Sequence, residues 1–204
     1  MFEMAGNMSG DNFAAMGSDS AFGMFDTMGA EMVMDLEGDQ MAGMFDAMGS
    51  DHFHDIGGGQ MFEMAGNMSG DDFSSMGSDS AFGMFDTMGT DMVMDLEGDQ
   101  LSGMFDAMGH DQIGAMEGAM VFSVFESMGT EGMMSLDGDS MAGMFDAMDS
   151  DHFHEIGGTE MFDMAGNMSG DNFAAMGSDS AFGMFEAIGA DMAMDLEGDQ
   201  IGGM

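Results

Sequence analysis

The sequence predicts an all-α solenoid of ten 20-residue repeats, each folded as two short helices. Three observations carry that expectation: an unbroken 20-residue phase from Met1 to Gln200, apolar residues spaced for one face of a helix, and glycine with Ser or Asp at fixed points between the apolar segments. MAGMFDAMGSDHFHDIGGGQ from Met41 overlies AFGMFDTMGAEMVMDLEGDQ from Ala21 with no insertion. The repeats start at residues 1, 21, 41, 61, 81, 101, 121, 141, 161 and 181, and they read as a single tandem-repeat domain over residues 1–204.

Counting each start as position 1, apolar or small residues fall at positions 1, 2, 4, 5 and 8, which wind into one helical stripe. Methionine holds position 4 in Met24, Met44, Met84, Met104 and Met184, and position 8 in Met28, Met48, Met88, Met108 and Met128. This is the first helix, of roughly nine residues. A second apolar pair stands at positions 13 and 16, as in Phe13 with Met16, Val33 with Leu36 and Phe53 with Ile56. The i, i+3 step fits a helical turn and not an alternating strand, giving a second helix of roughly six residues. Triplets such as Gly49-Ser50-Asp51 and Gly17-Ser18-Asp19 read as the turns, glycine closing one helix and Ser or Asp capping the next.

A β-solenoid with about 20 residues per coil is the alternative. Its corners suit the 35 glycines, but Val, Ile and Thr together number fourteen against 37 methionines, a balance that favours helix. Positions 2 and 5 compensate in volume, Phe2 with Ala5 and Ala42 with Phe45, so both are expected in one packed layer. Position 3 is Gly in Gly23, Gly43, Gly83, Gly103, Gly143 and Gly183, where a mid-helix glycine costs about 1 kcal/mol relative to Ala. Something must come close there, either a neighbouring layer or another molecule. Repeats at Met1, Met61 and Met161 carry Glu3, Glu63 and Asp163 instead, with Asn7, Asn67 and Asn167 one turn on. A three-repeat superperiod is thereby visible over residues 1–120 and slips near Val121.

Forty Asp and Glu stand against no Lys or Arg, for a formal charge of −40. Such a polyanion repels nucleic acid and anionic membrane surfaces, and no apolar run approaches the roughly 20 residues of a membrane span. With no Pro, Cys, Tyr or Trp either, there is no disulfide and no thiol chemistry. The lack of Lys and Arg removes trypsin-like cleavage sites, which suits a protein outside the cell or on its surface.

Position 11 is acidic in all ten repeats: Asp11, Glu31, Asp51, Asp71, Asp91, Asp111, Glu131, Asp151, Asp171 and Asp191. Position 19 adds Asp19, Asp39, Asp79, Asp99, Asp139, Asp179 and Asp199. Stacked repeats turn these into two ladders of hard oxygen ligands, which suit Ca²⁺; helix capping is the simpler role for the same residues. The Gly-Ser-Asp-His-Phe segment from Gly49 resembles half of the glycine-and-aspartate nonapeptide repeat of secreted calcium-binding β-rolls. That family repeats every nine residues with a double glycine, whereas the spacing here is eight then twelve, so its fold does not carry across. FDTMGAEMVMDLE from Phe25 starts like an EF-hand, but Met28 stands where a ligand belongs.

Soft-metal sites are the weaker readings. Met32-Val33-Met34 and Met92-Val93-Met94 invite Cu(I), and His52-Phe53-His54 with His152-Phe153-His154 invite zinc, but the methionines follow the core stripe and the paired imidazoles diverge by roughly 200° on a helix. No catalytic constellation emerges, since the same residues recur ten times where an enzyme needs one asymmetric site. The sequence therefore points to a structural or adhesive repeat protein, a segment of an extracellular fibre or filament rigidified by calcium. Repeats without a distinctive cap favour end-to-end continuation, the small stripe at positions 3 and 7 offers a lateral fibre contact, and the IGGM end reads as a cut through a longer array. A cation reservoir or mineral-templating polyanion is the alternative. A third reading, a designed sequence or one inferred from density in which Lys and Met look alike, would account for six missing amino-acid types.

Overall fold

The computed structural model describes residues 5–148 and 150–203. Every regular element among them is helical, in line with the all-α expectation and against the β-solenoid. The chain divides into two compact units, Met1–Met108 and Gly109–Met204.

In the first unit the recurring element is an eleven-residue helix, seen in Ser18–Met28, Gly38–Met48 and Ser78–Met88, alternating with four- or five-residue helices such as Gly10–Ala14, Ala30–Val33 and Thr90–Val93. The long helix starts earlier than the apolar stripe suggests. Gly17 is no turn glycine: it stands extended at φ −77° as the residue before the helix, and Ser18 and Asp19 already form the first turn. An acidic side chain there faces the partial positive charge of the unpaired N–H groups, so polar residues start the helix and the apolar pattern cannot mark its beginning.

Two devices end the long helix. Gly49 takes φ 72°, a left-handed conformation that other residues rarely adopt, and its N–H donates back to Phe45 O at 3.0 Å. The repeat beginning at Met61 has Ser69 at that position; its helix Gly58–Ala65 stops sooner, and Ser69 caps the next helix, Gly70–Ser74, by accepting the N–H of Asp72 at 3.3 Å. The Ser-for-Gly exchange at position 9 thus separates two kinds of repeat.

Phe13, Val33, Phe53, Phe73 and Val93 at position 13 are all fully buried, as are Met44, Met84 and Met104 at position 4. Phe45 meets Phe53 edge to face with centroids 5.9 Å apart, and Phe85 meets Phe105 likewise. The expected sharing of one layer by positions 2 and 5 holds where position 2 is small, Ala42 being buried with Phe45 and Ser102 with Phe105. Position 5 is the core residue, whereas position 2 is buried when small, as Ala42 and Ser102, and reaches toward solvent when it is phenylalanine, as Phe62 and Phe82.

The glycine stripe packs internally in this unit. A β-carbon on Gly43 would fall well within 3.0 Å of the Gly10 carbonyl, and one on Gly103 would do the same at Gly70. Gln100, which carries the same contact further, was not singled out by periodicity. Its Nε2 donates to Ala65 O at 3.1 Å and Met68 O at 2.6 Å, while its Oε1 accepts the Glu97 N–H at 3.0 Å. Gln40 repeats the arrangement on Met8 O and Glu37 N–H. Gln100→Ala removes a buried donor from two carbonyls, and we expect a loss of about 1–3 kcal/mol in chemical denaturation.

The second unit repeats these features. The helices Ser178–Ile188 and Ala190–Ala193 match the long and short elements, Ser169 caps Gly170–Ala175, and Gln200 donates to Ala165 O and Met168 O at 3.1 and 2.6 Å. Its core is built on Ile113, Met133, Phe153 and Phe173, with Phe145 edge-on to Phe153 at 5.9 Å. The helix Gly118–Met133 breaks at Gly129, where φ is 68°.

Candidate self-association surface and acidic ladders

All seventeen ladder carboxylates are exposed. Asp11, Glu31, Asp51, Asp71, Asp91, Asp151, Asp171 and Asp191 lie in the first turn of a short helix or helical segment, Asp19, Asp39, Asp79, Asp99, Asp139 and Asp179 in the first turn of a long one, and Asp199 in the first turn of Gly198–Gly203. Asp111 and Glu131 follow the positive-φ glycines Gly109 and Gly129 by two residues. Side-chain capping comes from serine at position 9, where Ser9, Ser69 and Ser169 accept the N–H of Asn12, Asp72 and Asn172, and from Asp137 at position 17, which accepts the N–H of Ser140 at 2.7 Å. Two positions further in, a carboxylate gains from the helix dipole without needing a fixed hydrogen bond. Some ladder members also tie across the fold. Asp39 accepts the Gly10 N–H at 3.3 Å, and Asp139 accepts from Asn172 Nδ2 at 2.7 Å.

Among the described residues, no three His, Asp or Glu side chains gather into a group that could hold a metal ion. The geometry gives a spread of separate carboxylates, each able to attract a counter-ion. The imidazoles are used elsewhere. His52 stacks on Phe22 with centroids 4.4 Å apart, His152 lies against Phe122 at 4.6 Å, and His54 and His154 are exposed. In the second unit His110 Nε2 lies 3.1 Å from Asp146 Oδ2, while the other oxygen of Asp146 accepts the Gly177 N–H at 2.7 Å. In the Met-Val-Met segments Val33 and Val93 are the residues that enter the core.

The feature that sequence reasoning missed is apolar. Within the second unit an open cavity of about 590 Å³ is lined by Ala181, Phe182, Phe185, Ala193, Met194 and Ile201, among others, and no carboxylate is among its lining residues. Phe182, Phe185, Met194 and Ile201 all count among the protein's exposed large apolar side chains. Such a concentration marks an interaction surface more often than a solvated face. No helix among the described residues is long and apolar enough to cross a membrane. Comparison with protein-family models and with curated protein sequences finds no match to this chain.

Proposed function

We propose that this chain is a structural repeat protein, a solenoid segment that assembles end to end into a filament at the cell surface or outside the cell. One observation carries the reading. The close contact between repeats recurs at a constant spacing of thirty-three residues, from Gly10 to Gly43 and Gly70 to Gly103 in the first unit and from Gly170 to Gly203 in the second. A contact that repeats with the sequence can be continued by any further copy of the same repeat, which is the property a filament needs. On this reading the protein is not an enzyme, and Ca²⁺ and other cations lower the mutual repulsion of the ladders where filaments meet side by side. The full exposure of the seventeen carboxylates also favours a second reading, a cation reservoir in which the fold only spaces charge.

Negative-stain electron microscopy separates the two. The filament reading expects unbranched threads that lengthen with protein concentration, and the reservoir reading expects dispersed particles with many weak cation sites.

A further inference from the structure

We propose that the chain carries N-linked glycans on Asn7, Asn67 and Asn167. The proposal rests on the placement of the protein outside the cell and adds a covalent modification to it.

Each of these asparagines opens the same tripeptide, in Asn7-Met8-Ser9, Asn67-Met68-Ser69 and Asn167-Met168-Ser169. Asparagine followed two residues on by serine, with no proline between, is the acceptor sequence for N-glycosylation of secreted proteins. The motif needs two exchanges at once. In the other seven repeats position 7 is Ala, Thr or Ser and position 9 is Gly or Asp, and none of those repeats contains an asparagine anywhere.

The fold presents the motif at the surface. Asn67 lies in the turn between Gly58–Ala65 and Gly70–Ser74, and Asn167 follows Gly158–Gly166 ahead of Gly170–Ala175. Met68 and Met168, in the middle of the tripeptide, are each 2% exposed, while the Asn and Ser on either side of them are exposed. The buried methionine anchors the turn and leaves the amide and the hydroxyl to solvent. Asn67 is exposed although repeats of its own unit both precede and follow it. Asn7 is exposed in the same way, beside a partly buried Met8.

The serine has a structural use that does not depend on its asparagine. Ser69 caps the following helix by accepting the Asp72 N–H at 3.3 Å, whatever stands at position 7. Asn67 and Asn167 are tied to the turn through the backbone, their N–H groups donating to Met64 O and Met164 O at 3.0 Å, a bond that any residue except proline supplies. The turn therefore does not require a carboxamide, and an acceptor role does.

In the modification, Nδ2 attacks C1 of the first sugar of a lipid-linked oligosaccharide diphosphate. The N–C1 bond forms as the bond from C1 to the diphosphate oxygen breaks, the amide gives up one proton, and the lipid diphosphate leaves. Nothing is oxidised or reduced. The glycans fall on the repeats whose position 3 is acidic, Glu3, Glu63 and Asp163, and so set uncharged, hydrated bulk one helical turn from a carboxylate.

Mass spectrometry of the full chain, led into the secretory lumen of a eukaryotic cell by a cleavable signal peptide, tests the sites. Lumenal and released chain are measured before and after peptide N-glycosidase, which removes the sugar and leaves aspartate where a modified asparagine stood. The expected result is a loss of glycan mass, with aspartate at positions 7, 67 and 167. Asn67→Gln and Asn167→Gln should each remove one glycan, and Ser69→Thr, which keeps the hydroxyl and the cap, should remove none. Circular dichroism of Asn67→Gln should match the wild type, since the side chain it replaces lies in solvent. Unmodified asparagine at all three positions of the lumenal chain would overturn the sites and leave the filament reading standing. Glycosylated chain that is never released from the cell would overturn the placement outside the cell and not the sites.

Discussion

Gly103→Ala should destabilise the protein by about 2–3 kcal/mol, while the same substitution at Gly23 should stabilise it by up to about 1 kcal/mol. Both glycines occupy position 3 of an otherwise apolar repeat, and helix propensity alone predicts the same gain for each. Packing reverses the sign at Gly103. The added carbon would sit well inside the carbonyl of Gly70, and its nearest neighbours are backbone atoms that cannot rotate away. The two helices must separate, and the Gln100 bonds to Ala65 and Met68 stretch with them. At Gly23 the new methyl meets nothing within 4 Å, so only the propensity gain remains. Guanidinium unfolding followed by helical circular dichroism measures both. Equal effects at the two sites would mean that the inter-repeat approach contributes nothing to stability.

The second large effect is that of salt. Forty carboxylates with no Lys or Arg leave the folded state opposed by its own field. Like charges about 10 Å apart repel by about 0.4 kcal/mol in unscreened water, which over the two ladders comes to several kcal/mol. A domain has only about 5–15 kcal/mol of stability in all. Raising NaCl from about 10 to 500 mM should therefore lift the melting temperature by about 10 °C or more. At matched ionic strength, about 5 mM Ca²⁺ should add further degrees through pairing with the exposed first-turn carboxylates. A melt that responds to NaCl but not to Ca²⁺ would assign the ladders to screening alone, and a melt indifferent to both would remove charge repulsion from the account.

Much of the fold was legible in the letters. The i, i+3 pair at positions 13 and 16 pointed to a short helix, and Phe53–Ile56 holds both members, but Gly10–Ala14, Ala30–Val33 and Thr90–Val93 end before Met16, Leu36 and Leu96, so that position 13 alone is the helix's core residue there. Methionine at position 4 marked the core stripe because an unbranched side chain fills slightly different gaps in each repeat. The helix start escaped notice, since a first turn made of Gly, Ser, Asp and Gln looks like a loop to any reading based on apolar spacing. The Gln100 clamp was hidden for a related reason: a buried polar side chain has no periodic signature, although GDQ recurring at 38–40, 98–100 and 198–200 was its trace. The division between Met108 and Gly109 has no compositional mark, and the only irregularity nearby is the slip of the superperiod at Val121.

The apolar surface was beyond sequence reading altogether. Phe85 and Phe185 stand in the same motif, and nothing in the letters tells which of them is covered. Exposure is a property of neighbours in space, and identical residues in two repeats differ only by what surrounds them.

Electron microscopy of the purified chain in about 0.5 M NaCl, over a range of protein concentration, tests end-to-end assembly most directly. The expected result is threads of one diameter whose length grows with concentration. Particles of single-chain size at every concentration, with no thread in the wild type, would contradict it.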